Sequence, residues 1–404
     1  MARVFRGRTL EAAYTGRDNA LNFMRLCFAL LVMVGHAGVI GWGPAANPVR
    51  LPIDAGGVAV TGFFGLSGFL ISRSGRRSGA LRFVWHRVLR IFPGYWVCLV
   101  VTAFGLAPLL FWYEHGTTGG FLHSGPGPAG YVYHNFLTDQ LQSDVSRVTG
   151  DAPFGNALNG SLWTLKSELS CYLLVLVLAA TTLLRRARWV VLLPGAGLLS
   201  VIVWDTFHEP VVPGPIAAVT PFHVPVLGWY LRYYVVAFGL AFVLGMAADV
   251  YRSVIPLNDV LGAASLALTA VSLWLGWPLF GPFIVAYVYL LLWAGARLPG
   301  PLRRIGRRND YSYGVYIYAF PIQQALAILG VPRFGWTVYL LTSVAAVAVV
   351  AGCSWHLVER PAMTARNWTP RRFRRPPEAA ATAPAPAPDV PAPRAPAPGD
   401  LEPV

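Results

Sequence analysis

Residues 21–37 read LNFMRLCFALLVMVGHA, a run long and apolar enough to open a bilayer-spanning helix yet interrupted by Arg25 and His36. An ionisable side chain inside a span costs about 2.5–3.5 kcal/mol on insertion scales, so each one asks for a function. Eleven residues at 100° each make three turns plus about 20°, which puts both groups on one stripe of the helix. Along the axis they stand about 16 Å apart, one near the end where the chain enters and one in the far half. Such a stripe suits a long ligand with a charged end at one mouth and a reacting end deeper. A snorkelling arginine with a histidine hydrogen-bonded inside a bundle accounts for the same pattern.

The rest of the chain has the composition such a helix needs around it. Of 404 residues, 55% are hydrophobic and 12% charged, against the roughly 45–50% and 25% of a soluble domain. Mean hydropathy is +0.52. Ten apolar segments follow one another at about 21–42, 56–72, 91–113, 161–184, 189–205, 231–249, 258–276, 280–296, 311–330 and 336–357. The fold class expected is an all-α polytopic membrane protein, a bundle of about ten transmembrane helices.

Charge placement orients it. The net charge of +14 comes from Arg, Lys166 being the single lysine. With the N-terminus cytoplasmic, the inner segments hold 26 arginines and the outer ones only Arg50, Arg147, Arg232 and Arg333. That imbalance places both termini in the cytoplasm and argues against nucleic acid as the partner of the basic charge. Trp42, Trp112, Trp163, Trp229, Trp277 and Trp336 fall near the outer ends, as an interfacial belt does. The domains expected are a cytoplasmic segment over 1–20, a membrane domain over 21–360 with its longest extracytoplasmic loop at 114–160, and a cytoplasmic tail over 361–404. That tail begins basic and becomes Pro/Ala-rich, so it is expected to be disordered. The first apolar run is too long and too polar at Arg25 and His36 for a cleaved signal peptide. Cys27, Cys98, Cys171 and Cys353 all sit in apolar segments and read as small buried hydrophobes, and the histidines show no metal-ligand spacing.

Two further clusters carry chemistry. Glu168, in SLWTLKSELSCYL, enters from the outer side about 10 Å deep, a depth similar to that of His36. A carboxylate beside an imidazole fixes its tautomer and strengthens it as a general base, although pairing of Glu168 with Lys166 is the alternative. Arg87 and Arg90 lie three apart before the third span, on one helix face. They form a fork suited to phosphate oxygens, although basic residues are also expected at inner helix ends.

Taken in order, these pieces resemble the membrane-bound acyltransferase family 3. LNFMRLCFALLVMVGHA resembles its first-helix signature, GVAVTGFFGLSGFLISR its second helix and RVLRIFPGYW its arginine segment. NGSLWTLKSELSCYLL resembles its Trp-Thr-Leu segment, and DYSYGVYIYAFPIQQ and SWHLVERPA its last two spans. The resemblance implies an enzyme of the bacterial cytoplasmic membrane that moves an acyl group, usually acetyl, from cytoplasmic acyl-CoA to a hydroxyl of a glycan, a lipid-linked sugar or a secondary metabolite. By position it makes His36 the catalytic base with Glu168 in support, and Arg25, Arg87 and Arg90 the donor-binding residues. It implies no metal and no permanently bound cofactor, acyl-CoA being a substrate. Many members carry a histidine in the ninth span where this chain has Ala319 after Tyr318. The competing reading is a transporter of sugars or lipid-linked glycans.

Overall fold

The computed structural model describes residues 8–16, 18–46, 55–208, 221–225, 228–275 and 281–367. Arg50, Trp277, the arginine run 371–375 and the Pro/Ala tail therefore lie outside the described residues.

Each of the ten apolar segments is helical over most of its described residues. In chain order the helices are α1 (Leu21–Ala46), α2 (Ala55–Arg77), α3 (Ala80–His115), α4 (Pro128–Asn135), α5 (Trp163–Ala180) and α6 (Leu192–His208). They continue with α7 (Arg232–Val250), α8 (Asp259–Trp274), α9 (Gly281–Arg297), α10 (Ser312–Ile328) and α11 (Trp336–Thr364). Among the described residues, α1, α2, α3, α5, α7 and α11 are long and apolar enough to cross a membrane. Among the described residues they are accompanied by the short helices Leu10–Ala13, Leu183–Arg186 and Gly300–Arg304 and by strands of two or four residues. The chain is thus an all-α membrane protein.

Local chemistry explains where these helices bend. Regular geometry in α1 ends at Gly43, whose φ of 76° precedes Pro44. α3 begins at Ala80, eleven residues ahead of the expected third span, because Ser78 and Gly79 are what break the chain after α2. Arg87 and Arg90 consequently sit inside a helix and not in a loop that closes it. α3 passes through a π-helical stretch, Val101–Leu106, and α11 through another, Trp355–Glu359. Pro321 in α10 has no N–H to give to the Ile317 carbonyl one turn back, and Asn159 Nδ2 donates to that carbonyl instead, at 3.0 Å.

α2 and α7 cross with their backbones nearly touching. A Cβ built on Gly68 would stand 1.9 Å from the Phe242 carbonyl oxygen, and one on Gly245 2.0 Å from that of Gly65. Lipid supplies no hydrophobic drive between helices, so close backbone packing of this kind has to hold them together. Gly68→Ala is expected to force the pair apart and to lower stability by about 1–3 kcal/mol, read as a fall in thermal midpoint of the detergent-purified protein. Gly197→Ala, in an α6 site with open space around it, should not lower the midpoint. Equal midpoints for both variants would contradict this account of the crossing.

The arginine-rich ends of the helices are strapped together. The strand Arg8–Thr9 pairs with the strand Pro256–Leu257, Leu10 is fully buried, and Glu11 pairs with Arg252 at 2.9 Å. Arg303 meets Asp18 at 3.1 Å. At the opposite end the loop over 114–160 is knit into a cap. Buried Asn135 exchanges hydrogen bonds with the Gln142 backbone, and Gln324 Nε2 on α10 donates to the Phe154 and Ala157 carbonyls. All four cysteines are free thiols.

Candidate active site

Arg25 does not snorkel. Its Nη1 lies 3.2 Å from Asp310 Oδ2, the same oxygen that takes Arg90 Nη2 at 2.6 Å. The other oxygen, Oδ1, accepts from the Ser312 amide at 3.2 Å and from its hydroxyl at 2.6 Å, capping the start of α10. One carboxylate thereby ties α1, α3 and α10 together. Burial by itself would push the Asp310 carboxyl up, but the Arg90 and Arg25 guanidiniums and the Ser312 donors outweigh it and hold the group at about 2. Arg90 also reaches Glu359 Oε2 at 3.8 Å. Glu359 closes the π-helical stretch of α11, is 2% exposed, and accepts from Ser354 Oγ at 3.0 Å. Neither acid was among the residues that the sequence singles out.

Arg87 and Arg90 share a face but not a partner. The Arg87 guanidinium lies over the Tyr172 and Phe83 rings, 5.8 and 6.0 Å from their centroids, a favourable cation–π geometry. Tyr172 in turn donates its hydroxyl hydrogen to Glu168, which also accepts from Ser67 Oγ at 3.3 Å. Glu168 therefore steadies Arg87 through Tyr172. Lys166 does not pair with Glu168; it pairs with Asp139 of the cap at 2.7 Å and lies over the Tyr230 ring.

The expected His36–Glu168 pair is not formed. Ser67 and Tyr172 meet the Glu168 carboxylate first, since one stands across on α2 and the other one turn along α5. No hydrogen bond or ion pair joins Glu168 to His36 among the described residues. His36 packs edge-on against Phe320, ring centroids 5.3 Å apart, and its Nδ1 is buried without a hydrogen-bond partner among the described residues.

Two cavities lie along the bundle; Arg25 and Glu168 line the first, while His36, Arg87 and Arg90 line neither. A narrow chamber lies between Arg25, Phe63, Glu168, Tyr313 and Tyr316, with about 40 Å³ of free volume, little more than one water molecule's share. A larger vestibule of about 800 Å³ opens at the arginine-rich end, between Asn22 and Leu26 of α1 and the loop over 304–312. Ser312 lines both, so the two adjoin. At its other end the chamber meets Tyr316, whose hydroxyl hydrogen-bonds Thr164 Oγ1 at 2.5 Å. Phe320, which carries His36, follows Tyr316 by one helical turn, about 5 Å. The stripe of α1 thus has its guanidinium in the chamber wall and its imidazole just beyond the chamber's far end.

Comparison with known proteins agrees with this arrangement. A family profile described as an acyltransferase domain matches residues 18–355. An O-acetyl transferase of Shigella phage Sf6 is 29% identical over 86% of this chain and 97% of its own. Nodulation protein 10 of Rhizobium leguminosarum bv. viciae is 27% identical over 87% of this chain and 95% of its own. No solved structure matches at the same significance. A transporter finds no support in these matches. A profile that spans nearly every helix, set beside a chamber with Arg25 in its wall and a buried histidine in the same bundle, means that the chain belongs to the acyltransferase 3 family and is a membrane-embedded O-acyltransferase.

Proposed function

We propose that the protein transfers an acetyl group from cytoplasmic acetyl-CoA to a hydroxyl of a cell-surface glycan, a lipid-linked sugar or a secondary metabolite, in the cytoplasmic membrane of a bacterium. The observation that carries this reading is the line from vestibule to chamber to His36 along one face of α1. The donor enters at the arginine-rich end and its thioester arm runs past Arg25, with Arg87 and Arg90 beside it. The arm then displaces the Tyr316–Thr164 contact to bring its carbonyl to His36.

There the acceptor oxygen attacks the thioester carbonyl while the imidazole takes the hydroxyl proton. The C–S bond breaks, and the departing CoA sulfur receives that proton from the imidazolium. The products are the acyl ester and free CoA thiol, with the histidine restored. Glu168 acts as a positioning residue in this scheme: it holds Tyr172, which holds Arg87.

Release of free thiol from acetyl-CoA, dependent on added acceptor extract, tests the reaction with the purified protein. Arg87→Gln should raise the acetyl-CoA concentration needed for half-maximal release by about tenfold, the worth of one hydrogen bond from a guanidinium to a carbonyl of the arm. The change also removes a cation that acts on Glu168, so the thermal midpoint checks that the variant is folded. An unaltered donor requirement removes Arg87 from the donor path, and absence of thiol release by the unchanged protein with any acceptor fraction removes the reaction.

A further inference from the structure

The arginines in and beside the chamber are already matched by acids. Arg25, Arg87 and Arg90 stand formally against Glu168, Asp310 and Glu359, three cations to three anions, and Arg25 and Arg90 are in ion pairs. A chamber with about 40 Å³ free has no room for a nucleotide either. A CoA nucleotide, with a diphosphate and a 3′-phosphate, needs uncompensated positive charge and several hundred cubic ångströms.

Both are found in the vestibule. Five arginines lie between 297 and 308. Arg297 pairs with Asp259 and Arg303 with Asp18, and neither of these two lines the vestibule. Arg304, Arg307 and Arg308 do line it, are exposed, and have no ion-pair partner among the described residues. Paired and unpaired arginines of one short segment are thus sorted by whether they face the cavity. The loop that carries them is fixed in place: Gly306 has a φ of 73°, and its carbonyl accepts from Asn22 Nδ2 at 2.8 Å. A Cβ at 306 would stand 2.7 Å from the Asn22 side chain, so the turn presses against the base of α1. The same helix that carries His36 therefore holds the loop in register with the chamber.

We infer that Arg304, Arg307 and Arg308 form the seat for the phosphates of the donor's 3′-phosphorylated ADP end, in the vestibule, leaving Arg25, Arg87 and Arg90 to flank the uncharged arm. The inference rests on the acyl-CoA reading above. The Arg304–Arg308 loop is then the first part of the protein that the donor meets, and Ser312 marks the point where nucleotide gives way to pantetheine.

The test is binding of CoA and of adenosine 3′,5′-bisphosphate to the full chain in nanodiscs of zwitterionic lipid. The R304Q/R307Q/R308Q variant is compared with R77Q/R186Q/R188Q, which removes equal charge elsewhere at the arginine-rich end. All these side chains are partly or fully exposed, and thermal midpoints check that both variants are folded. The vestibule variant is expected to weaken both ligands at least ~tenfold, since each lost phosphate contact is a charge-assisted hydrogen bond. The control variant should bind like the unchanged protein. Equal losses in both variants would reduce the effect to a diffuse field and overturn the seat. Unchanged binding in the vestibule variant, with CoA still bound, overturns the seat and leaves the donor assignment standing. If the unchanged protein binds neither ligand, as it would were the vestibule a lipid-headgroup site, both fall.

Discussion

Replacing His36 by alanine is expected to lower acyl transfer by about 10²–10⁴-fold while the donor still binds, the range that a positioned general base contributes. The reasoning is chemical before it is structural. An alcohol attacks a thioester slowly unless its proton leaves as the C–O bond forms, and the base must wait in the protein with a lone pair unspent. Most buried nitrogens are hydrogen-bonded, because an unmet polar atom costs about 1–3 kcal/mol. His36 Nδ1 has no partner among the described residues, and the ring is held by an aromatic contact with Phe320 that spends neither nitrogen. That is an arrangement suited to reaction more than to stability. The expected signature is a fall in kcat with CoA binding within about twofold of the unchanged protein. His36→Asn, which fills similar space, should be equally slow. A His36→Ala protein that releases thiol at the original rate would remove His36 from the chemistry.

Much of this was legible in the residues. The eleven-residue interval from Arg25 to His36 places both on one stripe, and the structure puts one in the chamber wall and the other one turn past its end. Every apolar segment became a helix because hydrophobic length is a property of the local sequence. What was not legible depends on which neighbour arrives first. Glu168 shares a helix with Tyr172, four residues on, and that hydroxyl claims the carboxylate that depth alone would assign to His36. Asp310 and Glu359 do not stand out in the sequence because each lies at the edge of an apolar segment, where an acid looks solvated. The available signal was their company: Asp310 sits two residues before Ser312 in a helix-capping position, and Glu359 is the one acid of α11, next to Arg360. The early start of α3 is hidden in the sequence because FVWHRVLR is too polar to read as membrane, yet Arg87 and Arg90 find partners inside the bundle.

Asp310→Asn is expected to be the most destabilising single change in the site, by about 3–5 kcal/mol, although it alters one atom. Asparagine can still accept from Ser312 through its carbonyl oxygen, so the cap on α10 survives. It cannot balance Arg25 and Arg90, whose guanidiniums converge on Oδ2 at 3.2 and 2.6 Å and are only 20% and 13% exposed. Two cations would then face each other across an amide dipole, with Glu359 at 3.8 Å as the nearest remaining counter-charge to Arg90. The same carboxylate predicts how the fold responds to acid. Its folded value of about 2 lies below the ordinary 3.8. A depressed carboxyl contributes its full stabilisation above the unfolded value, and loses it as pH falls from about 3.8 through about 2. The gap is worth roughly 2 kcal/mol. Thermal midpoints of the unchanged protein should therefore fall across that window, and those of Asp310→Asn should start lower and fall less. Adding Arg25→Gln to Asp310→Asn removes one of the stranded charges and should recover part of the loss, an outcome that simple disruption of the α10 cap would not produce. If Asp310→Asn melts like the unchanged protein, the three helices are joined by packing and not by this carboxylate. The chamber between them would then owe its shape to Phe63, Tyr313 and Tyr316 alone.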